Sequence, residues 1–449
     1  MADFKIKKGY DVPILGEPQP VLDRAAQPAF VGVCPVEFSG VKPKLCVQVN
    51  DLVKVGSPLF FDKKRRDLVF LAPASGKIAA INYGPRRVIE EIIIATDKEY
   101  QYESFQTYDL KGITGFDRQG LIGHLMKGGV WPYIRQRPFN KIADPEAEPK
   151  AVFVNCMDTA PLANDPNFSL TGMGDVFEAG VAALSVLCER VHVCTRGKGA
   201  NPQFQAPKNV AHHRFSGKHP AGLTGTHISR IDPLNKGESV WYINARDVVM
   251  IGTFLLKGLY PIERIVAIAG PAVARPRYLR SQLGVKIKDL VDGEIHSPEP
   301  RYISGNILTG IRKSTDNFLG FYDDLISVLT EGRKQEFLGW MQPGLSKPSF
   351  TRVYLSGFLG SKKYKMDTNL NGGHRAIIQS GTYDRVVALD VFPEFLLKAT
   401  IAQDIDEMEK LGILECDPED FALCTYLCPS KTEVSQIISE GLELMEKEG

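Results

Sequence analysis

The sequence predicts a multidomain α/β protein, and three observations point to it. The first hundred residues are short β-branched runs cut by Gly, Pro, Asn and Asp. Residues 151 to 195 alternate strand and helix spacing. The stretch from Pro393 to Met445 reads as helical, with acidic residues interleaved among apolar ones. A chain of 449 residues can bury three or four cores. The units expected are 1–102, 103–257, 258–330 and 331–449.

In the first unit the strand-like runs are Lys5 to Gly9, Lys44 to Val49, Leu68 to Leu71, Lys77 to Ile81 and Val88 to Ile94. The turn phrases Asn50 to Leu59 and Ala72 to Lys77 are similar to those of a biotinyl/lipoyl-like barrel-sandwich hybrid. In a carrier of that kind a hairpin lysine takes the prosthetic group, which makes Lys63 and Lys64 the candidates. They sit in Asp62-Lys-Lys-Arg-Arg-Asp67 without the usual Met or Val flank, so a solvated hairpin carrying no biotin or lipoate is expected.

The second unit brings Ala151 to Asn155 and Arg190 to Thr195 as strands around a helix from Val176 to Leu187. That βαβ order implies a parallel sheet, a Rossmann-like α/β domain. The third unit reads as strand (Leu259 to Pro271), short helix (Pro276 to Leu283) and strand (Arg301 to Gly310), the pattern of a small β-grasp module. The fourth is a mainly helical domain holding Cys424-Thr-Tyr-Leu-Cys428-Pro429. This is the closing C-x3-C-P of a ferredoxin cysteine run whose first half is missing. Two thiolates cannot hold a cluster, and Cys416 lies at no cluster spacing, so Cys424 and Cys428 read as structural thiols.

Charge and cysteine usage exclude several classes. With 54 Lys and Arg against 53 Asp and Glu there is no global field to draw in nucleic acid or an anionic membrane. Eight scattered cysteines and an N-terminus without a signal-peptide core predict a reducing, cytosolic setting. The longest uncharged apolar stretch, Val248 to Leu256, is interrupted by Gly252 and Thr253 and closed by Lys257, far short of a membrane span. A membrane role then requires a partner that spans the bilayer.

No independent catalytic constellation stands out. His212, His213, His219 and His227 match no zinc spacing, and His219 to His227 reads as a structural loop made possible by Gly222 and Gly225. Thr171 to Asp175 reads as a turn before the helix at Val176 rather than a phosphate loop.

Seven phrases, Lys7 to Ile14, Ala72 to Lys77, Val130 to Phe139, Met157 to Leu162, His219 to His227, Arg301 to Gly310 and Glu419 to Pro429, resemble the A subunit of the sodium-translocating NADH:quinone oxidoreductase. More distantly, the order of units is similar to the flavin and NADH subunit of complex I and the Rnf complex C subunit. The resemblance gives the β-grasp module an SLBB-like character. It implies a peripheral subunit on the cytoplasmic face of the bacterial inner membrane, without a transmembrane helix. Its partners would be the other subunits, especially the integral membrane quinone-site subunit, with ubiquinone as substrate and no nucleic acid. FMN, FAD, riboflavin and iron-sulfur centres would sit on partner subunits, and this chain would hold none.

Against that background two phrases have changed. Flavin-binding relatives carry a loop resembling G-x-G-G-A-G-F-P; here Lys127-Gly-Gly-Val-Trp-Pro-Tyr133 keeps Gly128, Gly129 and Pro132 and places Trp131 where the cofactor needs room. The acidic phrase that relatives use at the nucleotide becomes Asn155 to Pro161, with Asp158 its one carboxylate. Neither FMN nor NADH is expected to bind in the relatives' way. The former flavin loop is the expected quinone site: Trp131, Tyr133 and Phe139 would flank the ring, and Arg135 or Arg137 would donate to a quinone oxygen. The competing readings are core aromatics beside arginines on a docking surface, an assembly platform with no ligand pocket, and a stand-alone flavoprotein dehydrogenase.

Overall fold

The computed structural model describes residues 2–198, 202–204, 207, 210–333, 336–359 and 362–448. Two small sheets form the first unit. One has the strands Phe30–Val33, Ile89–Thr96, Gly76–Tyr83 and Leu52–Val53 side by side; the other has Pro43–Leu45, Pro58–Asp62 and Arg65–Leu71. Phe60 and Phe70, cross-strand partners in the second sheet, stack with ring centres 4.4 Å apart. Lys63 and Lys64 form the exposed turn between Pro58–Asp62 and Arg65–Leu71, where Asp62 accepts the Lys64 amide.

The N-terminal residues do not stay with this unit. Ala2–Lys5 pairs in parallel with Ala211–Ser216, and Leu22–Arg24 pairs in parallel with Arg277–Gln282. The first pairing takes Lys5, expected to open a strand of the first unit, into the α/β sheet, and Leu22–Arg24 is a strand that sequence patterning did not assign.

The α/β unit is built on four parallel strands lying in the order Ala211–Ser216, Val191–Arg196, Val152–Asn155 and Val240–Asn244. Every residue of Val152–Asn155 is buried, because helices cover both faces. Val152 and Val154 face the helices Gly174–Leu187 and Ala245–Lys257, while Phe153 joins Ile228 of Thr224–Ile231 on the other side. That last helix corrects part of the expected loop: the chain turns at Gly222 and is helical from Thr224. Arg135–Arg137 and Lys141–Ile142 extend the sheet antiparallel beyond Val240–Asn244.

The third unit is a sheet ordered Ile311–Lys313, Pro300–Ser304, Leu325–Thr330, Glu263–Ala269, Arg277–Gln282 and Leu22–Arg24. The expected helix at Pro276 to Leu283 is instead the strand Arg277–Gln282, antiparallel to Glu263–Ala269; the helix of this unit is Ile287–Val291. Adjacent Tyr278 and Leu279 are both buried, Tyr278 toward the C-terminal core and Leu279 toward Ile287 and Leu290. A strand covered on two faces therefore imitates helical spacing in a short window. The C-terminal unit is helical only from Pro393, through Pro393–Ala402, Ile405–Lys410, Ala422–Leu427 and Val434–Glu448. Its described residues from 331 to 392 hold short 3-10 turns and irregular chain, so the expectation of a mainly helical domain fails there.

Candidate functional site

The glycine loop follows the helix Arg118–Lys127. The amides of Gly128, Gly129 and Val130 all donate back to it, to the carbonyls of His124, Met126 and Leu125 at 2.9, 3.1 and 3.1 Å. A Cβ on Gly128 would lie 2.1 Å from the Phe254 ring, and one on Gly129, at φ +66°, would lie 2.6 Å from the Leu71 side chain. The glycines thus admit a helix and the barrel unit, and apolar packing closes the loop. Trp131 is wholly buried, donates its indole N–H to the Ala143 carbonyl at 2.8 Å and meets Trp241 edge to face. Pro132 is buried and its carbonyl accepts the Tyr322 hydroxyl at 2.9 Å.

Beyond the loop the five residues expected at the quinone separate. Arg135 and Arg137 lie two apart on one strand and so project to the same face. Arg137 is 1% exposed and enclosed by carboxylates: Asp420 at 2.8 Å, Glu419 at 2.6 Å and Asp417 at 3.9 Å. It pins the α/β unit to the cysteine-bearing turn. Phe139 packs against the C-terminal core with Lys141 over its ring. Trp131 is a core residue. Only Tyr133 and Arg135 reach an open space.

That space is a cavity of about 250 Å³ beyond the carboxyl ends of Val152–Asn155 and Val240–Asn244. These strands are paired neighbours, Asn155 opposite Asn244, where the strand order reverses, the usual place for a crevice in an open parallel sheet. The Tyr133, Tyr242 and Tyr322 side chains contribute to its wall. The Arg135 guanidinium lies over the Tyr322 ring, 4.3 Å from its centre, and one of its nitrogens donates to the Asn140 side-chain oxygen at 2.7 Å. Its Nε is buried without a partner among the described residues.

The lining is also acidic. Arg246 pairs with Asp324, Arg264 lies 3.5 Å from Asp247, and Asp323 accepts the Ser304 hydroxyl at 2.6 Å. Asp158 also lines the cavity, and burial pushes its carboxyl up to about 6. It can therefore carry a proton near neutrality. Burial likewise raises the Tyr133 and Tyr322 hydroxyls, which stay protonated, that of Tyr322 already donating to the Pro132 carbonyl. Arg246, Asp247, Asp323 and Asp324 were missed by sequence reasoning. Their signal is a charged pair at the edge of an apolar run: Arg246-Asp247 opens the helix after Asn244, and Asp323-Asp324 precedes Leu325–Thr330.

The histidines do not converge. His219 contacts the Thr159 hydroxyl at 3.2 Å, His227 contacts the Ala221 carbonyl at 3.0 Å, and His213 contacts His192 at 3.1 Å. Among the described residues no group of three or more His, Cys, Asp or Glu is placed to hold a metal. Cys424 and Cys428 are wholly buried in the C-terminal core. Tyr383 donates its hydroxyl to the Cys428 sulfur at 3.0 Å and the Thr432 amide adds a second bond at 3.3 Å.

Three segments match described domain families: residues 4–97 the NqrA N-terminal barrel-sandwich hybrid domain, 116–260 the NqrA second alpha/beta domain, and 265–315 the NQRA C-terminal domain. The A subunit of the Na(+)-translocating NADH-quinone reductase of Neisseria meningitidis serogroup B (strain ATCC BAA-335 / MC58) is 41% identical over 448 residues, 99% of this chain and 100% of that one. The corresponding A subunits of Histophilus somni (strain 2336) and Vibrio atlanticus (strain LGP32) are 41% and 40% identical over 446 residues, each 99% of both chains. The chain belongs to the NqrA family, the A subunits of the Na(+)-translocating NADH-quinone reductase. It is accordingly a component of an oxidoreductase complex, and among its described residues no helix is long and apolar enough to cross a membrane.

The residues of this NqrA-family chain do not fit a flavin in the glycine loop. A phosphate there needs free amides, and those of Gly128, Gly129 and Val130 are occupied by helix carbonyls. An iron-sulfur cluster does not fit the cysteine turn, where the two thiols are core side chains and Cys428 already accepts two hydrogen bonds.

Proposed function

We propose that this chain binds the quinone head group in the cavity at the carboxyl ends of the parallel strands and holds no redox centre of its own. In this reading the four-stranded α/β unit is Rossmann-like and the six-stranded unit is a β-grasp, SLBB-like module. The flavins and iron-sulfur centres belong to partner subunits. The chain sits on the cytoplasmic face beside the membrane subunit of the quinone site, with ubiquinone as substrate.

The observation that carries the reading is Arg135: a half-buried cation stacked on Tyr322, its buried Nε unpartnered among the described residues, at the edge of a cavity with tyrosine rings in its wall. A quinone offers an aromatic plane and two carbonyl oxygens, which these groups complement. A cavity of about 250 Å³ suits a ring, not its isoprenoid tail.

The test is Arg135→Ala in the intact complex. Loss of a charged donor should raise the apparent quinone KM about ten- to a hundredfold, roughly 1.5 to 3 kcal/mol. Electron transfer from NADH to a soluble acceptor that intercepts electrons early should stay near wild type. An assembled variant with unchanged quinone kinetics would favour the assembly-platform reading, which the Arg137 ion cluster between units supports.

A further inference from the structure

The charge balance of the whole chain conceals a one-sided segment. Residues 337–365 contain five Lys or Arg and no Asp or Glu, although the full sequence carries 54 and 53. The segment is a long strap whose flanks are pinned: Ile14 bridges to Tyr364 and Thr330 to Asp367. It is fixed to the rest of the molecule by Phe350, which packs edge-on to Tyr10 and beneath Arg385.

The outer side has no such cover. Phe337, Val353 and Phe358 are 88%, 71% and 69% exposed, and Met341 and Leu359 are exposed with them. Monomeric surfaces seldom gather large apolar side chains in this way without a partner. Two of the cations are engaged by acids from outside the segment, Lys347 by Glu336 and Lys363 by Glu17. Arg352, Lys362 and Lys365 are exposed and form no ion pair among the described residues.

We propose that this strap rests on an anionic phospholipid surface, its apolar side chains entering the headgroup boundary and Arg352, Lys362 and Lys365 meeting lipid phosphates. Apolar and aromatic side chains interleaved with cations, without acidic residues, are the pattern of an interfacial anchor. The uncompensated charges of the strap share one sign, which complements an anionic lipid surface. A sodium-translocating complex works across a bilayer, so such a surface is at hand. The proposal is independent of the quinone cavity.

Flotation of the full chain with vesicles tests it. The chain should float with phosphatidylcholine mixed with phosphatidylglycerol, stay behind with phosphatidylcholine alone, and be released as salt rises. Reversing the three cations together (Arg352→Glu, Lys362→Glu, Lys365→Glu) should lower partitioning about a hundredfold or more, taking about fivefold for each charge lost near the surface. Val353→Ser with Phe358→Ser should weaken it at unchanged thermal melting. Reversing Lys63, Lys64 and Arg66 on the barrel unit should leave it intact. Equal partitioning to neutral vesicles, no flotation with either, or an equal loss in the barrel control would overturn the proposal. So would strap variants that keep vesicle binding but fail to join the other subunits in detergent, an outcome that assigns the strap to a protein partner.

Discussion

The glycine loop and the cavity beyond the parallel strands belong to one α/β unit and have met opposite fates. In the loop, Phe254 and Leu71 fill the space beside Gly128 and Gly129, Trp131 is sunk in the core, and the amides bond to their own helix. In the cavity, Arg246, Asp247, Asp323 and Asp324 gather at the ends of apolar elements and cannot be covered by hydrocarbon without a large desolvation cost. Apolar replacement closes a site, whereas charged groups at strand ends keep one open.

The sharpest way to break this contrast is Trp131→Ala. If the loop is packing alone, truncating a fully buried indole costs about 3 to 5 kcal/mol in thermal or denaturant unfolding. The quinone KM of the protein that remains folded should not move, the mirror image of Arg135→Ala. A raised KM at unchanged stability would return the loop to the site. Arg137→Met tests the pin between the two regions. It leaves Asp417, Glu419 and Asp420 around an uncharged side chain, and stability should fall by about 3 to 5 kcal/mol, read from denaturant midpoints. A neutral result would show that the carboxylates relax into water.

Gly128→Ala should cost about 1 to 3 kcal/mol by forcing the Phe254 ring aside, and Phe254→Leu in the same chain should recover part of that. Recovery that fails would mean the backbone, not the ring, sets the limit. The last effect is a pH slope from two buried histidines. Burial lowers His219 to about 4 and His227 to about 3, so the folded chain keeps both neutral where the unfolded chain protonates near 6.5. Their stabilising contribution is full above that value and declines as pH falls toward 4, by roughly 1.4 kcal/mol per pH unit for each histidine. His227→Gln should flatten the fall of melting temperature in that window. An unchanged slope would place the titration elsewhere.

Much of the architecture was legible because it rests on local pattern. The β-branched runs at 151 to 155 and 190 to 195 appear where spacing put them, and so does the helix to Leu187, which takes in Gly174 and Asp175 of the expected turn. Seven short phrases carried the family. What failed shows where local pattern stops. Tyr278 and Leu279 imitate a helix because both faces of their sheet are covered. Lys5 to Gly9 reads as a strand of the first unit, yet the strand there is Ala2–Lys5 and its backbone partners lie in the α/β sheet.

The candidate site divides in the same way. Tyr133 and Arg135 were named from sequence and do reach the cavity, while Trp131, Arg137 and Phe139, close by in the chain, do not. Residue type alone gives a cation near an aromatic ring; it cannot say whether three carboxylates from residues 417 to 420 will reach that cation first, as they do at Arg137. By itself the sequence determined the barrel-sandwich start, the α/β character with a helical end, and the family, because these depend on periodicity and short-range chemistry. The tertiary structure alone decided which charges are paired, which glycines are filled against and where space remains, because burial and ion pairing depend on residues hundreds of positions apart.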